Sequence, residues 1–349
     1  VGGLMLRPWT AWSQLSGDWP DAQPLGRICV GMASVRSRPS IDAPVVGDLY
    51  EDSVVVWLRE TVGEPPPGRQ NARWVETPDG YIYAPSVQPV LNHPNKPVTV
   101  LPQTSLGSGM WAEVTVPHTQ LFLENQTPAS PWLQDALKFS VIPKLYYSQI
   151  IWVDEIRTNS NGQVLYRLNE RYGYGDVFWS AAESFRPLTA EELAPIHPDV
   201  EDKKVVVDVN PKRQMLSCFE GTREVYSCQI SSGAVWNAAG EIVQAWATPV
   251  GRHFIWRKAV SIHMSGGQTG AGYDLAGVAW TTLFMGEGVA IHSTFWHNEF
   301  GTPKSRGCIN CRPEDANWVF RWTLPRITYD PGDLTVSMPG GTIIDVVET

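Results

Sequence analysis

A chain of 349 residues is too long for one ordinary domain, and a usual domain length of about 150 residues divides it into two or three. Its 43% hydrophobic and 18% charged residues are those of a globular protein, not a disordered one. The net charge of −9 excludes the basic footprint that nucleic acid requires, and no apolar run approaches the ~18 residues of a membrane-spanning helix. Sixteen Trp, 28 Pro and 30 Gly point to short strands and frequent turns rather than long helices. The chain starts at Val1 without a signal-peptide pattern, as expected after removal of a leader or from truncation. Five cysteines is an odd number, so one at least is unpaired within the chain, and composition does not settle the compartment.

Taken in order, residues 1–28 show no clear period and read as an irregular lead-in. Short β-rich runs follow. Val54-Val-Val-Trp57 and Tyr81-Ile-Tyr83 are strand-like, separated by the Pro65-Pro-Pro-Gly68 loop and the Pro78-Asp-Gly80 turn. Val35-Arg-Ser-Arg-Pro39, Gly47 and Trp74-Val-Glu-Thr-Pro-Asp-Gly-Tyr-Ile-Tyr-Ala84 together resemble a bacterial SH3-like domain, which sets a first domain at 29–97. That resemblance implies attachment to the wall polymer. An echo comes later, with Ile150-Ile-Trp-Val153 matching the Trp57 strand and Tyr174-Gly-Asp-Val-Phe-Trp179 matching the Tyr81 strand. Residues 98–188 are therefore expected to be a second SH3-like barrel with an insertion, the other reading being one irregular β domain. Ser130-Pro131 caps and starts a short helix inside it.

Thr189-Ala-Glu-Glu192 has capping-box spacing and opens a linker over 189–202, in which His197 is a linker residue. From residue 203 to 349 the chain reads as strands again. Val205-Val-Val-Asp-Val209 is one, and the Glu220-Gly-Thr-Arg223 turn joins two more into a hairpin. Only 312–324 is helical by pattern. Pro313 suits the first position, Glu314 and Asp315 suit the positive end of the dipole, and Ala316, Val319, Phe320 and Thr323 form one face. The whole is mainly β.

Chemistry concentrates between Ala290 and Asn310. His292 ends the apolar run Gly288-Val-Ala-Ile291, and Ser305-Arg-Gly-Cys308 presents a thiol behind a glycine that lets the backbone approach a reacting group. A cysteine nucleophile needs a base and N–H donors for an oxyanion, and both are available within this stretch. Arg306 and the helix starting near Pro313 are expected to favour the thiolate. Cys308-Ile-Asn-Cys311 is also a C-x-x-C pair, but zinc needs a second ligand pair and dithiol exchange needs a βαβ setting. Cys218 and Cys228, ten positions apart on a hairpin, do not have zinc-knuckle spacing. No metal and no cofactor is expected, and Cys311 reads as a core residue. His297, in the polar-aromatic loop Trp296-His-Asn298, is expected to be exposed over the site as a substrate contact or alternative base. His263 is expected to line the same cleft beside a flexible flap, Gly266-Gly-Gln-Thr-Gly-Ala-Gly272. His253 is read as structural.

Residues 203–349 resemble an L,D-transpeptidase catalytic domain of the YkuD type. The resemblance rests on Ile291-His-Ser293, the twelve residues between His292 and Ser305, and Ser305-Arg-Gly-Cys-Ile-Asn310. Ser231-Ser-Gly233, Thr248-Pro-Val-Gly251 and Tyr273-Asp-Leu-Ala-Gly-Val278 fit the same family. It implies a β-sandwich with one short helix, Cys308 as nucleophile, His292 as base and Ser293 orienting the imidazole through its carbonyl. Backbone N–H groups of Arg306, Gly307 and Cys308 are implied as the oxyanion hole, with Asn310, Ser305 and Trp296 among the substrate-side residues. Arg306 departs from the histidine frequent there, Ser293 from a common glycine, and Cys311 from an aliphatic residue. The implied substrate is a peptidoglycan stem peptide outside the cytoplasm. Cys308 would release D-Ala from a tetrapeptide and pass the acyl group to an amine, or to water as an L,D-carboxypeptidase. Competing expectations are a papain-like wall peptidase, in which the cysteine precedes its histidine, and a non-catalytic wall-binding protein.

Overall fold

The computed structural model describes residues 19–124, 127–170, 173–234, 246–266, 273–286 and 288–349. The expected flap falls mostly outside these, at 267–272. Three successive β units are built in chain order, joined by packed segments.

The first unit, 25–90, has a three-stranded sheet in the order Val54–Val56, Leu25–Ile28, Val87–Val90. A five-stranded sheet, running from Val45–Tyr50 to Arg59–Val62, packs against it. Ile28, Val35, Val75, Ile82 and Val87 fill the space between. The lead-in expected to be irregular is corrected here: Leu25–Ile28 is a buried central strand, paired on both sides. Its four residues are too few to show a period, and Arg27 within it disguises the burial.

In the middle unit a six-stranded sheet is centred on the nine-residue strand Ile150–Thr158. The helix Pro131–Lys138 begins as its sequence directs, with Ser130 Oγ accepting the Trp132 N–H at 3.1 Å. One device ends both units. Gly80–Tyr83 and Val177–Ala181 each pass through a one-turn 3₁₀ segment into a final strand, with entry dihedrals of −62°, 117° and −62°, 120°. The middle unit does not end cleanly at 188. Trp111, Ile150, Trp152 and Leu188 belong to the same buried core as Val205, Val207 and Phe320 of the last unit. The segment after it is packed too, with Leu193 buried and His197 bonded to Glu220.

The last unit, 203–347, has two five-stranded sheets and the helix Pro313–Trp322. One sheet is organised on the parallel pair Lys203–Asp208 and Ile343–Val347. The other runs Ile309–Cys311, Ala290–Ser293, Tyr273–Leu283, Arg257–Gly266, Asp333–Thr335. The helix buries Ala316, Val319 and Phe320 on the stripe its 3.6-residue period predicts, and Trp322 beside that stripe. Arg312 makes no side-chain cap, so Pro313 and the acidic first turn set the start.

Candidate active site

Ala290–Ser293 and Ile309–Cys311 are parallel neighbours, with His292 opposite Asn310 and Ile291 opposite Ile309. Side chains alternate along strands, and in-register neighbours share a face. His292, Asn310 and the preceding Cys308 therefore fall on one face, while Ile291, Ile309 and Cys311 enter the core. That parity answers the C-x-x-C question. Cys308 and Cys311 are three positions apart, so they point to opposite sides of the sheet, and all five cysteines are free thiols. Cys311 instead contacts Cys228 in the core, and no cluster of three metal-binding side chains occurs among the described residues.

The face opens into a cleft of about 160 Å³ lined by His292, Cys308, Asn310, Ser305, Arg306 and Trp296, among others. Met264, Tyr273 and Leu275, from the two long strands of the same sheet, complete its wall. These three were not singled out as site residues, because apolar alternation on a strand looks the same whether it meets a core or a substrate.

His292 is buried, with Nδ1 2.9 Å from the Ser293 carbonyl oxygen. A carbonyl only accepts, so Nδ1 carries the proton and Nε2 keeps its lone pair. Burial pushes the imidazole pKa down to about 4, opposed by that hydrogen bond. Burial likewise pushes the Cys308 thiol up to about 11, partly offset by a hydrogen bond from the Ala290 backbone. Both shifts favour a neutral thiol and a neutral imidazole, against the thiolate expected from Arg306 and the helix dipole. The Arg306 guanidinium lies 5.0 Å from the Trp246 ring centroid and 5.8 Å from that of Tyr273, on the cleft wall.

The loop carrying Cys308 is pinned from behind. Gly233 donates its N–H to Thr248 Oγ1 at 2.9 Å, and that hydroxyl donates to the Gly307 carbonyl at 2.8 Å. Gly307 sits at φ +116°, a conformation that suits glycine. A Cβ on Gly233 would lie 2.0 Å from the Trp246 carbonyl oxygen, so no larger residue fits there. The Gly307 N–H is itself bonded to Ser305 Oγ at 3.1 Å, and Ser305 Oγ donates to the Cys308 carbonyl at 2.5 Å. Of the three N–H groups expected in an oxyanion hole, that of Gly307 is thus already occupied. Thr248 and Gly233 stood in the sequence only within stretches that fit the family, with no role assigned to either.

Two histidines are not where the sequence placed them. His297 is only 2% exposed, not displayed over the cleft. Its Nδ1 accepts the Glu299 N–H at 3.1 Å, and its Nε2 lies 2.8 Å from the Asn310 amide. Burial and then the Lys304 charge hold its pKa well below the ordinary value, so it is neutral and carries its proton on Nε2. The Asn310 atom placed there is Nδ2, while Oδ1 has no partner; exchanging the two amide atoms gives the ring proton its acceptor and satisfies Oδ1. His297 thus supports Asn310 from behind the cleft. His263 faces away altogether. It is clamped between Asp274 and Glu170, the latter at 2.9 Å and contributed by the middle unit. Burial works against its charge, yet the two carboxylates prevail and raise its pKa to about 9. Strand alternation after a one-residue irregularity at 262–264 explains the misplacement.

Comparison with known proteins bears on the same residues. The YkuD family model, an L,D-transpeptidase catalytic domain, matches residues 204–343. The match takes in His292 and Cys308. YciB of Bacillus subtilis, named as a candidate L,D-transpeptidase, is 31% identical over 132 residues. Those residues are 36% of this chain and 63% of YciB, so the chain spans less than two thirds of that relative. Among solved structures, the catalytic domain of the Enterococcus faecium L,D-transpeptidase is 23% identical, covering 42% of this chain and 98% of that one, with a TM-score of 0.31. The Mycobacterium smegmatis L,D-transpeptidase is 16% identical, covering 53% and 90% respectively, with a TM-score of 0.32.

The L,D-transpeptidase match begins at residue 204, after several groups that hold this cleft in place. The loop from 294 to 300, which returns the chain from His292 towards Cys308, is gripped by the first unit. Arg27 donates Nη2 to the Phe295 carbonyl at 2.8 Å, Arg73 reaches Asn298 Oδ1 at 3.3 Å, and Arg69 pairs with Glu299 at 3.3 Å. The Asn298 N–H donates to the Pro85 carbonyl at 3.2 Å. Tyr146 of the middle unit stacks on Phe295 with centroids 5.7 Å apart. Nothing in the sequence announced these contacts, which join residues about 150 to 270 positions apart.

Proposed function

We propose that the chain is a peptidoglycan L,D-transpeptidase acting outside the cytoplasm, with Cys308 as nucleophile and His292 as general base. The observation carrying this reading is the common face of Cys308 and His292 in the cleft of a domain matched by that family. His292 Nε2 takes the thiol proton as Cys308 Sγ attacks the carbonyl on the L side of an L,D peptide bond in a stem tetrapeptide. The protonated imidazole then gives that proton to the departing amine of D-Ala, leaving a thioester. An acceptor amine of a second stem attacks the thioester while His292 removes its proton, and collapse regenerates the thiol with a new cross-link. A neutral resting pair suits this order, because the proton leaves sulfur only when a carbonyl is present to be attacked.

General base catalysis of this kind contributes about 10²–10⁴-fold, and one well-placed oxyanion donor about 10²–10³-fold. With the Gly307 N–H engaged by Ser305, the backbone N–H groups of Arg306 and Cys308 take the oxyanion role. Trp296, whose ring centroid lies 5.6 Å from that of His292, and Asn310 serve as substrate contacts. His297 and Ser293 act through their neighbours, His297 through Asn310 and Ser293 through its carbonyl on His292. The two preceding units are read as SH3-like barrels, the shared strand–3₁₀–strand ending supporting their kinship, with a part in contacting the wall polymer.

Incubation with wall sacculi followed by muropeptide mass spectrometry tests the reading. The expected outcome is D-Ala release with L,D cross-links from wild type and neither from Cys308→Ala. Intact-mass spectra should show a carbapenem adduct on wild type and on Cys311→Ala, but not on Cys308→Ala. Hydrolysis of a D-Glu bond without D-Ala release would sink the proposal in favour of a wall peptidase.

A further inference from the structure

Behind the catalytic loop, where the three units meet, lies a cavity of about 690 Å³, larger than the cleft itself. Leu91 from the end of the first unit, Tyr147 and Ser148 of the middle unit, and Thr294, Phe300 and the start of the helix Pro313–Trp322 contribute to its wall. We propose that this cavity is a second binding site, for a short peptide bearing a free carboxylate.

Three observations converge. First, Ser148 Oγ and Thr294 Oγ1 both belong to residues that line the cavity and are 2% exposed, and neither has a hydrogen-bond partner. A buried hydroxyl without a partner is costly, and two on one cavity fit a ligand with amide groups to receive them. Second, the charges are unevenly committed. Of three arginines and three glutamates around the wall, Arg186 is paired with both Glu113 and Glu192. Arg312 stacks over Phe300, its nearest carboxylate oxygen being 3.8 Å away on Asp315, and Arg321 donates Nε to the Ala194 carbonyl. The wall's three arginines and three glutamates balance in sum, which suits a zwitterion, and Arg321, bonded to a carbonyl rather than a carboxylate, is placed to receive the peptide's carboxylate. Third, Phe300, Trp280, Tyr147 and Leu91 supply apolar surface beside these groups, and the volume is that of sites for small organic ligands and short peptides.

The partition between cavity and cleft is the segment after His292. Thr294, His297 and Asn298 line the cavity, whereas His292 and Trp296 line the cleft. His297 is also the support of Asn310. A peptide seated in the cavity would therefore touch the same short segment that carries the base.

The identity of the peptide as a wall stem rests on the transpeptidase reading; the cavity does not. The test uses the full chain with Cys308→Ala and a stem tetrapeptide carrying a photoreactive diazirine, with adducts located by peptide mass spectrometry. Adducts are expected at two places, on the cleft residues and on the cavity wall around Leu91, Tyr147 or Asn317, both suppressed by excess unlabelled tetrapeptide. Adding Ser148→Ala and Thr294→Val should lower the cavity adducts about tenfold, the loss expected from two hydrogen bonds. The cleft adducts should persist and report an intact fold. Adducts confined to the cleft, cavity adducts that excess peptide does not suppress, or cavity adducts indifferent to the double variant would each overturn the second site. No adduct at either place overturns it as well, and D-Ala release by wild type on the same peptide then decides separately whether the transpeptidase reading stands.

Discussion

Arg27→Met is the perturbation that best tests whether the first unit holds the catalytic loop. The Arg27 side chain is 3% exposed and makes three hydrogen bonds, to Gln88 Oε1 at 3.0 Å, Asp52 Oδ1 at 2.9 Å and the Phe295 carbonyl at 2.8 Å. Its guanidinium also lies 4.0 Å from the Tyr146 ring centroid. Methionine keeps much of the apolar stem and removes every donor. Breaking a buried ion pair by deleting one partner costs about 3–5 kcal/mol. Lys144 remains on Asp52 at 2.7 Å, so the expected loss is nearer about 2–4 kcal/mol. The catalytic effect is separable from this. Phe295 loses its tie three residues after His292, the proposed base, and small misplacements of a catalytic group cost up to about a hundredfold. Urea unfolding gives the stability change, and D-Ala release below the transition gives kcat/KM, expected to fall about tenfold to a hundredfold. Arg59→Met, which breaks the exposed pair with Glu76 in the same unit, is the control and should change neither. A destabilised Arg27→Met with unchanged kcat/KM would refute the claim that this unit positions the loop.

Three further outcomes follow from the site. Iodoacetamide alkylation of Cys308 should quicken roughly tenfold per pH unit through neutral pH towards the thiol pKa of about 11, whereas a plateau with a midpoint below pH 7 would reveal a thiolate–imidazolium pair instead. His263, raised from its ordinary value to about 9 by Asp274 and Glu170 against the cost of burial, adds stability that is fully present below about pH 6.5 and is lost as pH rises through about 9. The stability gap between wild type and His263→Gln, on the order of 3 kcal/mol at pH 6, should close by pH 10 in urea titrations, and a constant gap would discount the clamp. Thr248→Val removes the hydroxyl between Gly233 and Gly307 and should lower kcat/KM about tenfold or more, with Thr248→Ser restoring it; equal activity of both variants would show that the hydroxyl does not position the nucleophile.

The contrast between what the sequence disclosed and what it hid is physical. His292, Cys308 and Asn310 were legible because a strand period and a local stretch of 21 residues place them together. The helix Pro313–Trp322 was legible because its start chemistry and its buried stripe agree. The two misplaced histidines fail for different reasons. His297 stands in a polar segment that reads as exposed, yet that segment is covered by another unit. His263 stands on a strand whose alternation slips by one near 262–264, turning it towards Glu170. Leu25–Ile28 was missed because it is a four-residue strand containing an arginine. Contacts between remote units leave no periodicity behind.

The grip on the loop from 294 to 300 has a consequence for how such chains diversify. Chains of several domains can be pictured as beads on a string, each exchangeable for another. Here an incoming replacement for the first unit would need an arginine aimed at the Phe295 carbonyl, another near Asn298, and a backbone carbonyl for the Asn298 N–H. Exchange of the first unit is therefore expected to be tolerated only from donors that already carry those three groups.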